Sequence, residues 1–305
     1  MPTSHMALLT NRGVLAITGA DATKLLQGVI TNDMARLETE VALHTGLLSP
    51  QGKILFDFFV VKTANGLLIE TLRSSVVALK QRLDMYRLRA DATITDVTEN
   101  YTIAACWGDL HAASQDHPSS HETSPTIGFQ DPRHPDLGRR HLASLESDWR
   151  CDAEGAEAAS QDDYHGHRIA IGVPEVGLDF ALGDTFPHEA LYDQTHSVSF
   201  TKGCYVGQEV VSRMQHRGSA RKRIVPIDSS KSLPATGTEI RANTVAIGTL
   251  GSVAGNRGLA MIRLDRAAEF AAKAVALMAG DAPIEIKLPA WVTFPLVPPD
   301  TAATS

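Results

Sequence analysis

The chain has 305 residues, 43% hydrophobic and 21% charged, which excludes a disordered chain, a collagen-like repeat and a long coiled coil, and leaves room for two or three domains. Its 28 Lys and Arg against 35 Asp and Glu leave a net charge of −7, which excludes a non-specific nucleic-acid coat but not a local basic patch. No apolar run approaches the roughly 18 residues of a membrane span, and Met1 to Arg12 lacks the basic start and apolar block of a secretory signal. The three cysteines, Cys106, Cys151 and Cys204, are odd in number and widely spaced. That pattern suits neither a disulfide framework nor a zinc or iron–sulfur ligand set, so free thiols in a reducing cytoplasm are expected.

In chain order, Ser4-His5-Met6 carries no signal. Gly13 to Thr18 reads as a strand, and Asp21 is placed to cap a helix whose apolar side is Ala22, Leu25, Leu26 and Val29. Lys53 to Lys62 is apolar on both faces apart from Asp57, as in a central strand. Asn65-Gly66 marks a hairpin turn into Leu67 to Glu70. Ser74 or Ser75 starts a second helix with Val76, Leu79, Leu83 and Tyr86 on its apolar stripe, followed by strands at Ala92 to Val97 and Thr102 to Trp107.

Asp109 to Pro125 is rich in His, Ser, Asp and Pro and reads as an exposed loop. His111, His117 and His121 lack helical spacing or a nearby cysteine, which speaks against a metal site there. Phe129 to Arg140 reads as a turn-rich connection and Asp152 to Asp163 as an acidic helix or linker, with Asp162-Asp163 opening a helix through Ile169. Beyond Gly218 the texture changes. Short strands at Ile224 to Ile227, Thr238 to Arg241, Val245 to Val253, Gly258 to Leu264 and Ile284 to Leu288, punctuated by glycines, suggest a small barrel or sandwich, interrupted by a helix over Asp265 to Leu277. A boundary near Arg221 gives domains 1–220, with subdomains of about 1–100 and 101–220, and 221–305.

The chemistry concentrates in Ser199 to Arg217. Gly203 and Gly207 bracket Cys204, allowing a turn with positive φ and close approach to a ligand. A helix starts near Gly207 or Gln208. Cys204 would stand at or just before that start, beside Lys202, and both features favour the thiolate, while Glu209 opposes it. A glycine turn around a packed cysteine fits the same residues.

Lys202-Gly203-Cys204-Tyr205-Val206-Gly207-Gln208-Glu209 resembles the KGC[FY]xGQE signature of the YgfZ family, folate-binding proteins related to the T protein (aminomethyltransferase) of the glycine cleavage system. The resemblance extends over Leu25 to Asp33, Gly46 to Lys53, Arg168 to Glu175, Pro187-His188-Glu189 and the C-terminal strands. It implies an α+β fold of three subdomains in a ring around a folate-binding channel, with a C-terminal small β-barrel. It also implies a tetrahydrofolate-binding factor in assembly or repair of iron–sulfur clusters on four-iron enzymes, serving tRNA thiomethylation indirectly, with Cys204 the residue on which activity depends. Cys204 would either hold a cluster transiently with a partner's ligands or act as a redox thiol, and since one cysteine cannot ligate a cluster alone, a partner protein or a dimer is implied.

The resemblance has one departure. The T-protein relatives carry two adjacent acids where this chain has Phe56-Asp57. A phenyl ring cannot take a proton or pair with a cationic intermediate, which weakens aminomethyl transfer. Glu175, after Gly172-Val173-Pro174, is placed to accept two N–H bonds from a pterin. Asp57 is a further ligand candidate, and Arg87, Arg89, Arg213, Arg217 and Arg223 are candidates for the anionic glutamyl tail. The expected partners are folate, iron–sulfur assembly proteins and client iron–sulfur enzymes, with the protein a cytoplasmic monomer or weak dimer away from the membrane. Two alternatives remain. One is a folate-dependent one-carbon transferase. The other is a tRNA modification factor binding RNA directly through Arg213 to Arg223, which the acidic net charge opposes.

Overall fold

Apolar residues on both faces of Ile54–Thr63 suit a strand paired on each side, and the computed structural model of the chain pairs it so. The structure describes residues 4–109, 126–145, 156–218 and 220–296. Two units divide the chain: Met1–Tyr164 with Thr195–Gln208, and His165–Gln194 with Glu209–Ser305.

The first unit holds β1 (Ser4–Leu8), β2 (Arg12–Thr18), α1 (Ala22–Gln27), β3 (Ala42–Leu48), β4 (Ile54–Thr63), β5 (Gly66–Leu72), α2 (Val76–Arg87) and β6 (Thr93–Asp96). It continues with β7 (Tyr101–Gly108), β8 (Thr126–Gln130), β9 (Arg139–Ser144) and β10 (Glu157–Ala158). One sheet runs β3-β4-β5-β2-β6 and a second runs β10-β1-β7-β9-β8. Alternation sorts the strand residues. Leu15, Ile17, Phe58, Val60 and Ile69 pack on α1 and α2. Val14, Phe59, Val61 and Leu68 turn the other way and join Ile103, Trp107, Phe129 and Leu142 of the second sheet.

A buried ion network ties these two sheets. Arg12 Nε and Arg140 Nη1 donate to Glu70 Oε1 at 2.8 and 2.5 Å. Arg140 Nε and Arg133 Nη2 donate to Asp131 Oδ2 at 2.9 Å each. The Arg140 and Arg133 guanidinium groups lie 4.3 and 5.0 Å from the Phe59 ring centre. Burial alone would raise the Asp131 carboxyl, but Arg133 and Arg140 hold it well below the usual carboxylate range.

The second unit contains a closed six-stranded barrel: β11 (Lys222–Ser229), β12 (Glu239–Ala242), β13 (Val245–Ala254), β14 (Arg257–Arg263), β15 (Leu277–Ala279) and β16 (Ala282–Ile286), in the order β11-β14-β13-β12-β15-β16. Helix α5 (Leu264–Ala272) follows β14 and buries Leu264 and Ala267 on the barrel core. Two further helices, α3 (Gln161–Ile171) and α4 (Gln208–Arg217), each run across a boundary between the units.

Several expectations change. Ser4-His5-Met6, without signal in the sequence, forms β1 between β7 and β10. Phe129 to Arg140, read as a connection, holds the end of β8, the start of β9 and three members of the ion network. Asp21 and Ser75 precede their helices without capping them, because neither backbone adopts the extended cap conformation. Asp21 Oδ2 accepts from Asp91 N at 2.9 Å instead. Cys106 is disulfide-bonded, which corrects the expectation of free thiols throughout, and Cys204 is the free cysteine among the described residues. Cys151, His111, His117, His121 and the side chain of Arg217 lie outside the description. No described helix is long and apolar enough to cross a membrane.

Candidate functional site

Thr195–Gln208 is a strap that completes the first unit. Polar side chains at the exit of α1 hold it. Thr31 Oγ1 donates to Ser197 O at 2.8 Å and Ser199 N donates to Thr31 O at 2.9 Å. Asn32 Nδ2 donates to His196 O at 2.7 Å and to His44 O at 2.8 Å, and Arg36 Nη1 adds a bond to His196 O at 2.9 Å. Thr31 and Asn32 are almost fully buried, so each bond replaces water that would otherwise be lost without compensation.

Lys202 is 7% exposed. Its Nζ donates to Gln27 O, Ile30 O and Asn32 O at 2.8, 2.8 and 2.7 Å. An ammonium has three donors, and all three are taken. Burial pushes Lys202 down to about 8, against the upward pull of Asp33. The Tyr205 ring centre lies 5.1 Å from the same nitrogen, and burial pushes the Tyr205 phenol up to about 12. Lys202 therefore has no donor left for a hydrogen bond to the Cys204 sulfur.

Cys204 is free and exposed. The helix behind it, α4, begins only at Gln208, and a helix field fades within its first turn, so the dipole contribution expected at Cys204 is small. Glu209 is exposed in that first turn and suits the helix itself. The two glycines differ. Gly207 has φ +82°, and a Cβ there would stand 2.6 Å from Ser49 O in the turn between β3 and β4, so the close approach requires glycine. Gly203 has no positive φ, and nothing lies within 4 Å of where its Cβ would be.

Asp57 sits on β4, 5% exposed, with Oδ2 3.1 Å from His44 Nε2. His44 Nδ1 is 2.7 Å from Ser197 Oγ, which is 2.8 Å from Thr195 Oγ1. These residue types also build nucleophilic triads, but here Ser197 is fully buried. The relay is a strut between β3, β4 and the strap. Inside the unit, Asp57 is paired with His44. Phe56, in the position of the missing acid, packs in the core.

In the second unit Glu175 follows α3 and is 4% exposed. Asp179 orders its loop: Oδ2 accepts from Glu175 N at 2.8 Å and from Arg168 Nη1 at 2.6 Å, while Oδ1 accepts from Ser252 N at 2.8 Å. Arg223 is buried, its guanidinium paired with both oxygens of Asp193 at 2.8 and 2.9 Å and with His188 O at 2.9 Å. That commitment corrects its assignment to a glutamyl tail. Arg213 on α4 is exposed, as are Arg87 and Arg89 at the end of α2. No group of three or more His, Cys, Asp or Glu able to hold a metal occurs among the described residues.

His44 and Ser197 lie outside every stretch singled out in the sequence, and Thr31 and Asn32 stood out only as part of the family resemblance over Leu25 to Asp33. Their partners are far away along the chain and are often backbone atoms, which leave no pattern in residue identity.

Residues 221–294 match the family model described as CAF17, C-terminal beta-barrel domain. A protein of Mycosarcoma maydis named iron-sulfur cluster assembly factor IBA57 homolog, mitochondrial, is 33% identical over 74% of this chain and 57% of its own length. The Aspergillus fumigatus protein of that name is 31% identical over 87% of this chain and 71% of its own length. The human iron-sulfur cluster assembly factor IBA57, mitochondrial, is 30% identical over 83% and 76%. The chain belongs to the IBA57/CAF17 family, which is YgfZ-like. Against the first two curated IBA57 relatives the chain spans 57% and 62% of their length. These IBA57 proteins are named mitochondrial, which overturns the cytoplasmic location expected above. The fold is that of the T protein: the crystal structure of glycine cleavage system aminomethyltransferase T from Bartonella henselae superposes with a TM-score of 0.71 over 95% of this chain and 86% of that one, at 14% identity. That likeness bears out the α+β fold with its C-terminal barrel, and at such identity it speaks for the fold alone.

Proposed function

We propose that this IBA57-family chain is an iron–sulfur cluster assembly factor that uses Cys204 as a soft ligand for a cluster in transit. The observation that carries this reading is an exposed free thiol on a strap anchored nearby through buried, hydrogen-bonded Thr31 and Lys202. The cluster is the cargo. Cys204 loses its proton to solvent and donates one thiolate to iron, displacing one ligand of the delivering protein. The other ligands come from a partner, because one cysteine does not complete a cluster's set. Anaerobic mixing with a cluster-loaded carrier protein tests this: the visible absorbance of the cluster should be retained in a complex with the wild-type chain. Failure to retain any cluster under those conditions would end the proposal.

We also propose that the second unit holds a folate. Glu175 fits a pterin, since a carboxylate held by an ordered loop and shielded from water can accept two N–H bonds from the amino-pyrimidinone edge. Arg213, exposed in the same unit, suits the anionic tail, and Arg223, filled by Asp193, does not. Glu175→Ala should weaken tetrahydrofolate binding by about 1–3 kcal/mol, the cost of unpaired donors in the complex. Titration calorimetry giving equal affinities would remove Glu175 from the site.

Aminomethyl transfer lacks one of its two acids here, because Phe56 is apolar, and the other, Asp57, is paired with His44. The purified chain should therefore form no methylenetetrahydrofolate from an aminomethylated carrier protein and tetrahydrofolate. Turnover at the rate of a T protein would restore the transferase reading.

A further inference from the structure

Lys202 and Cys204 are neighbours on the strap, yet the ammonium is bound to backbone at the exit of α1. Gln27 O belongs to the last turn of that helix, where carbonyls lack intrahelical partners. Ile30 O and Asn32 O come from the loop that follows. A buried cation closing all three at hydrogen-bond distance satisfies each oxygen and complements the negative end of the helix. Beyond the clamp the chain has little support. Gly203 stands in open space and Cys204 is exposed. Support resumes at Tyr205, buried beside the ammonium, and at Gly207, wedged on Ser49 O. The thiol is thus carried on a short span between two fixed points.

The geometry points to Lys202 as the positioning residue of the motif: its ammonium plugs a three-carbonyl cradle and so fixes the backbone that presents Cys204, without acting on the sulfur. The purpose of that positioning rests on the cluster-binding reading above, but the cradle can be tested without a cluster. In the wild-type chain, reductive methylation with formaldehyde and cyanoborohydride should modify the exposed Lys231 and Lys287 and spare Lys202. Methylation of Lys202 at their rate would overturn the inference, and this measurement needs no variant to fold.

In Lys202→Ala, amide exchange at residues 203–206 should accelerate by about tenfold or more while the barrel strands keep their protection. Added n-propylammonium, which restores the missing cation to the cradle, should slow that exchange again and restore cluster absorbance on Cys204. Unchanged exchange in the variant would overturn the inference. So would faster exchange that the amine does not reverse, since that marks general loosening. If exchange and its rescue behave as expected while the wild type itself retains no cluster, the cluster-binding reading fails and the positioning role stands.

Discussion

Cys204→Ser should abolish rescue of iron–sulfur enzyme activity in a strain lacking the protein, with little change in melting temperature. The side chain is exposed, and substitutions at such positions stay within about 0.5 kcal/mol of the parent. Serine keeps the size but replaces a soft, readily ionised thiol with a hard hydroxyl that seldom ligates iron in clusters. Folate affinity should be unchanged, because Cys204 is not among the residues proposed to hold the pterin or the glutamyl tail. Two assays check the expectation together: activity of a four-iron client enzyme in cell extracts, and the melting curve of the purified variant. Full rescue by the serine variant would make Cys204 a bystander and remove the mechanism.

The largest loss of stability should come from Asp131→Asn. The carboxylate balances Arg133 and Arg140 in a site that excludes water. Its loss leaves buried positive charge uncompensated, which costs about 3–5 kcal/mol. Urea denaturation should show the midpoint falling by that equivalent. Arg73→Ala, which removes an ion pair to Glu99 at the surface, should cost no more than about 1 kcal/mol. The pH dependence has a definite sign. The Asp131 carboxyl is held low in the folded chain. Its contribution is therefore complete above the ordinary Asp value of about 4 and is lost as pH falls through the folded value. The asparagine variant should lack that share of acid sensitivity. A variant as stable as the parent, with the same acid limb, would show the network to be energetically idle.

The legible parts of the fold are those governed by local pattern. Asn65-Gly66 announced the β4–β5 hairpin because a two-residue turn needs a residue free to take positive φ. The glycine-punctuated strands after Gly218 announced the barrel, confirmed by its closed strand order. The motif around Cys204 was legible as a motif, but its inner workings were not. Lys202 was read through its neighbour in sequence, while its real partners are carbonyls 170 to 175 positions away. Asp131, Arg133 and Arg140 fell in a stretch read only as a turn-rich connection, because its prolines and glycine are turn signals and its charges are ordinarily solvated. They are buried only because opposite charges from two sheets meet there. Strand β1 went unread because Ser4–Leu8 has no sustained alternation and is held by its pairing with β7.

The interrupted course of the first unit has a biosynthetic consequence. Its chain runs through Met1–Tyr164, leaves for the second unit, and returns at Thr195–Gln208. As a nascent chain emerges from the ribosome, both sheets of the first unit are complete before the strap exists. Until Ser197 and Lys202 arrive, His44, Thr31 and the carbonyls at the end of α1 have water where their partners belong. Ring closure over so long a stretch is slow relative to hairpin and helix formation. The thiol loop is therefore the last piece laid onto a unit already built, and Cys204 comes into place only after its scaffold can support it. A fragment ended at Tyr164 would carry every strand of the unit and still lack its closing seam, so dissection of this protein for biophysical work must extend through Gln208.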